Sequence, residues 1–131
     1  MGYGGTGSIK IPNSFYTNYG NNLNCTWRLW APIYQRVLIY FTSFDLERGC
    51  CSCDYVKIYD GSESYSNVSK LACGTDLPEP VYSSGRYLYI TFRSDGSVGG
   101  KGFVAKYRAL SRYSGKCGYN SIQKGYCFHS N

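Results

Sequence analysis

The chain has 131 residues, of which 18% are aromatic and only 17% charged, with fifteen tyrosines and sixteen glycines. That length builds one core and excludes two independent ones, and that composition favours strands and turns over helices. Fourteen basic and eight acidic side chains give a formal charge of +6, which biases the surface toward anionic partners; the cations are scattered singly, with neither a dense basic run nor a phosphate-cradling glycine loop, so nucleic acid is not an expected partner.

Seven cysteines in so short a chain point to an oxidising, extracellular setting. Asn24-Cys25-Thr26 and Asn67-Val68-Ser69 fit the glycosylation acceptor pattern, consistent with secretion. No apolar run approaches the roughly 18 residues of a membrane span. Met1-Gly2-Tyr3-Gly4-Gly5 lacks the apolar stretch of a signal peptide, so the start reads as a processed or cloned boundary.

In chain order, Ile9 and Ile11 alternate with polar neighbours as a short first strand does, and Pro12-Asn13-Ser14 ends it. Residues 15–22 read as an irregular connection whose asparagines suit turns and whose aromatics ask for burial. Cys25, Trp27 and Leu29 share one face of a second strand, and Val37, Ile39 and Phe41 one face of a third. An aromatic at an inward position is a core residue, and Trp27 is read so. Val56 and Ile58 continue the pattern to the Asp60-Gly61 turn; residues 62–70 are expected as a polar loop, with Leu71 to Cys73 returning to the sheet. Pro78 and Pro80 make residues 74–85 a surface crossing. Leu88, Ile90 and Phe92 form a further apolar face, then Phe103, Ala105 and Tyr107 another. With no capped helical period, the expected fold is all-β, a two-sheet antiparallel sandwich of jelly-roll type.

The chemistry gathers around residues 44–61. Glu47 and Asp54 flank a cysteine cluster, and Ser94-Asp95-Gly96-Ser97 supplies a third acid on a turn. Three hard oxygen donors suit calcium better than zinc, with turn carbonyls such as that of Ser97 and water completing a shell of roughly six to eight oxygens. Asp45 and Asp60 read as turn or capping residues. Cys50-Cys51-x-Cys53 with His129 is a weaker zinc pattern, because structural zinc sites space their cysteines as paired Cys-x-x-Cys units. A cysteine nucleophile is weaker still, since the sole histidine lies two residues from the C-terminus with nothing to orient it; no enzyme activity is expected. Cys117 and Cys127 bracket a loop short enough for them to pair.

Phe44-Asp45-Leu46-Glu47, then Cys51-Ser52-Cys53-Asp54-Tyr55-Val56, then Tyr59-Asp60-Gly61 and a closing Gly102-Phe103-Val104-Ala105-Lys106-Tyr107 together resemble the CUB domain family. The resemblance implies residues 1–108 as a CUB domain and leaves residues 109–131 as a cysteine-containing extension on or beside it. It implies a Cys51–Cys73 disulfide, Glu47, Asp54 and Asp95 as calcium ligands, and Tyr19 as a residue that supports them. Two departures stand out: Tyr3-Gly4-Gly5 lies where the family often has a cysteine partner for Cys25, and Val98 replaces a frequent oxygen ligand.

These features imply a secreted or ectodomain module whose calcium holds carboxylates ready to accept a Lys or Arg from a partner protein. Two alternatives come from the residues. Leu38, Tyr40, Tyr87 and Tyr89 are outward-facing candidates for one self-assembly patch, with intermolecular disulfides making a homo-oligomer or matrix component. The positive charge and the aromatics also suit a sulfated polysaccharide.

Overall fold

The computed structural model describes residues 6–11, 18–96 and 99–111, and the strand at 122–129 through its backbone. Nine strands run among them, most showing the apolar–polar alternation of a half-buried strand: β1 (Thr6–Ile11), β2 (Leu23–Trp30), β3 (Gln35–Asp45), β4 (Tyr55–Asp60), β5 (Asn67–Ala72), β6 (Val81–Tyr82), β7 (Tyr87–Arg93), β8 (Gly102–Ser111) and β9 (Ile122–His129). They form a four-stranded sheet in the order β1-β8-β3-β6 and a five-stranded sheet in the order β5-β4-β7-β2-β9, every pairing antiparallel. The architecture is therefore an all-β sandwich.

The inward faces meet in one core. Leu29, Val37, Val56, Ile58, Leu88, Phe92 and Ala105 are wholly inaccessible. Trp27, 6% exposed, packs edge-on against Phe103. Burial of this kind, at about 25 cal/mol per Å² of apolar surface, drives the two sheets together.

One irregularity decides where the chain's acids end up. Between Phe41 and Ser43 the β3–β8 register slips by one residue, a β-bulge that shifts the inward–outward alternation. Phe41 and Phe44 are both buried, with Thr42 and Ser43 exposed between them. From there Phe44 and Leu46 face the core while Asp45 and Glu47 do not. Without the bulge the same alternation would turn Asp45 and Glu47 inward.

Three expectations change. Residues 67–70 belong to β5, not to a loop, because this strand pairs along β4 with exposed Asn67, Val68 and Ser69 at the sheet edge. The crossing at 74–85 carries the two-residue strand β6, held where Ser83 Oγ accepts the Val37 N–H at 2.7 Å and donates to the Gly85 carbonyl at 2.7 Å. Leu38, Tyr40, Tyr87 and Tyr89 do not make one patch: the first two lie in the four-stranded sheet and the last two in the other, facing opposite sides of the sandwich, and Leu38 is only 7% exposed.

Past Tyr107, β8 continues to Ser111 and β9 then pairs along the whole of β2. Cys25 is disulfide-bonded and stands opposite Cys127 in that register. The expected Cys117–Cys127 pair lies outside the described residues.

Candidate functional site

Register brings the acids to one end of the sandwich. Asp54 immediately precedes β4 and Asp95 follows β7; because Tyr55 pairs with Arg93, the next step outward sets Asp54 beside Ser94 and Asp95. Glu47 arrives from the other sheet, two residues after β3 ends.

Asp54 is completely inaccessible, yet its carboxylate sits among polar partners. Oδ1 accepts the Asp95 backbone N–H at 2.9 Å, and Oδ2 accepts the Tyr19 hydroxyl proton. A buried charge is tolerated only when bonded in this way. The Tyr19 hydroxyl also accepts the Glu47 N–H at 3.1 Å, so one side chain ties the Asp54 carboxylate to the Glu47 backbone. The Tyr19 ring is fixed edge-on against Phe92 at 5.2 Å. Burial first, then the Asp54 hydrogen bond and charge, push the Tyr19 pKa far up, which keeps it a neutral donor.

Glu47 carries the clearest electrostatic signature. Loss of solvent contact, followed by the charges of Asp95 and Asp54, raises its pKa above the ordinary carboxylate value. Its Oε1 is buried with no hydrogen-bond partner. Single ligand atoms of Glu47, Cys53 and Asp95 lie within 4.8 Å of one another. Cys53 is bonded to Cys50, and Cys51 to Cys73, so none of these sulfurs is a thiolate and the zinc pattern fails on its ligand chemistry. What remains is an oxygen donor set: Glu47 and Asp95 within that 4.8 Å, and the Asp54 carboxylate near enough to act electrostatically on Glu47, whose Oε1 has no partner. It fits a hard divalent cation.

The surrounding loops are locked by backbone bonds. The Asn22 N–H donates to the Asp95 carbonyl at 2.8 Å, from a left-handed residue with φ of 54°. Ser94 Oγ accepts the Leu23 N–H and donates to the Gly20 carbonyl, at 2.9 and 2.8 Å. A side chain at Gly100 would put its Cβ 2.4 Å from the Asp45 carbonyl oxygen, so only glycine lets this loop close on the Glu47 segment. The Cys51–Cys73 disulfide and the Leu46 N–H to Gly74 carbonyl bond at 2.8 Å brace the same corner.

Other sequence candidates fall elsewhere. Asp45 Oδ2 accepts the Lys101 N–H at 3.2 Å, and Asp60 Oδ1 the Ser84 N–H at 2.9 Å. Ser97, Val98 and the side chain of His129 lie outside the described residues. Asn67 is exposed on an edge strand, whereas Asn24 is half-buried in a strand flanked by β7 and β9. Sequence reasoning missed the Cys50–Cys53 disulfide and the bridging role of Ser94. The three-residue cysteine spacing was a signal for the former; nothing local marks the latter, which joins residues 71 and 74 positions apart.

The CUB domain family model matches residues 4–107, four-fifths of the chain. The chain belongs to the CUB domain family. Pig (Sus scrofa) cubilin is 38% identical over 112 residues, which is 82% of this chain and 3% of cubilin. Among solved structures, the human MASP-1/3 CUB1-EGF-CUB2 fragment superposes with a TM-score of 0.69 at 33% identity, covering 81% of this chain and 42% of that fragment. The MASP-1 CUB2 domain bound to Ca2+ gives 0.58 at 30% identity, covering 79% of this chain and 91% of that one. This CUB domain thus corresponds to a small part of the curated relative it matches, and strand β9 lies beyond the residues the family model covers.

Proposed function

We propose that this CUB domain is a non-catalytic extracellular interaction module that holds one calcium ion between Glu47, Asp54 and Asp95. The observation that carries the reading is the buried, unpartnered Oε1 of Glu47 facing two further carboxylates. Calcium would turn their repulsion into attraction. With the carboxylates fixed at a loop edge, a remaining oxygen lone pair accepts a Lys ammonium or Arg guanidinium from a partner protein. A domain of charge +6 repels basic partners over long range, so such recognition depends on this local acidic point. The Ca2+-bound MASP-1 CUB2 neighbour supports the choice of ion, and the disulfides at Cys50–Cys53 and Cys51–Cys73 support an extracellular setting. Asn67, exposed on its edge strand, is the more accessible of the two glycosylation acceptors.

Titrating calcium into the purified domain, followed by a lysine-containing peptide, tests the reading. Binding of the peptide is expected to fall with chelator, with high salt and on Asp95→Ala. Peptide binding indifferent to all three refutes it.

A further inference from the structure

We propose that the outward face of the four-stranded sheet binds a linear sulfated polysaccharide along a diagonal track formed by Lys10, Lys106, Arg108 and Arg36. Along β8, exposed Lys106 and Arg108 alternate with buried Ala105, Tyr107 and Ala109. Lys10 stands between buried Ile9 and Ile11 on β1, and Arg36 between buried Gln35 and Val37 on β3. The register sets these cations in order. Lys10 is opposite Val104, Lys106 and Arg108 follow on β8 itself, and Arg36 is opposite Leu110. Each successive outward row of the sheet therefore carries one positive charge, stepping from β1 across β8 to β3. With about 6.7 Å between rows, the track runs roughly 20 Å.

The strand residues on this face include no acid until Asp45, one row beyond Lys10 and two strands away, and Asp45 accepts the Lys101 N–H. The outward face of the five-stranded sheet also carries cations, Arg28, Lys57 and exposed Arg93, but an acid stands among them: Arg28 is neutralised by Glu63 at 2.9 Å. A row of evenly spaced cations suits a polymer with regularly repeated anionic groups, not a single point ligand. Single-stranded nucleic acid draws much of its affinity from base stacking on open aromatic faces. Beside this track Tyr40 is half-buried and Tyr82, though 49% exposed, has Arg36 over its ring at 4.9 Å; one part-covered ring is no row of stacking platforms, which favours a saccharide.

The test uses heparin as the probe and the full chain as the protein. Four contacts predict that log K falls with log salt at a slope of about −3, by analogy with other linear polyanions. Lys106→Ala/Arg108→Ala should roughly halve the slope and weaken binding about tenfold or more at fixed salt. Lys57→Ala/Arg93→Ala, which removes the same charge from the opposite sheet, should leave the slope unchanged. Chelator and Asp95→Ala should also have no effect, which separates this site from the calcium reading. Circular dichroism of both double variants confirms folding. Equal effects of the two double variants overturn the proposal by showing only net charge at work. It also fails if an oligonucleotide binds the same residues more tightly than heparin does.

Discussion

Tyr19→Phe tests the site with least disturbance, because the variant keeps the ring that packs on Phe92 and removes only the hydroxyl. The hydroxyl makes two bonds: it donates to the inaccessible Asp54 carboxylate and accepts the Glu47 N–H at 3.1 Å. A hydrogen bond to a charged group contributes about 1.5–3 kcal/mol, and the stranded N–H adds about 1 kcal/mol. In metal-free protein the expected loss is therefore about 3 kcal/mol, or a fall in Tm of about 10 °C for a domain of this size. Saturating calcium should shrink the loss, since the ion takes over part of the compensation of the Asp54 charge. Urea unfolding with and without chelator measures both values. A metal-free loss below about 1 kcal/mol would show that Asp54 does not depend on Tyr19, and the account of the site would fail.

The raised pKa of Glu47 gives a pH dependence of definite sign. Between its ordinary value of 4.5 and the raised folded value, the folded state binds more protons than the unfolded one, so this group's contribution to metal-free stability falls as pH rises. Glu47→Gln should abolish that component, and calcium affinity of the native protein should climb across the same window as proton competition ends; unfolding curves and calcium titrations at several pH values report both. The disulfides should differ in weight. Loop-closure entropy gives about 3.4 kcal/mol for Cys51–Cys73, with its separation of 22, against about 1.9 kcal/mol for Cys50–Cys53, with its separation of 3. Paired serine variants in denaturant should follow that order.

The sequence by itself determined which residues face inward and the types of donor at the site. Alternation at Cys25, Trp27 and Leu29, or at Leu88, Ile90 and Phe92, is a property of neighbours two apart, and a half-buried strand has no other way to satisfy it. The motifs around Asp54 and Asp95 were equally local, and the family resemblance drawn from such motifs agrees with the match over residues 4–107. Alternation carries no information about which sheet a strand joins. That is why Leu38 and Tyr40 could be grouped with Tyr87 and Tyr89, and why the extension past residue 108 could be placed on or beside the domain without β2 being named as its partner. The bulge in β3 was similarly hidden, since only pairing with β8 shows the slipped register that turns Glu47 away from the core. The family resemblance had already grouped Glu47 and Asp54 with Tyr19, but tertiary structure alone decided the bonds by which the Tyr19 hydroxyl joins the Asp54 carboxylate to the Glu47 backbone, and that Lys10, Lys106, Arg108 and Arg36 fall on successive rows. Both groupings join strands distant in sequence, and cross-strand register, fixed by the packing of the whole core, is what sets them side by side.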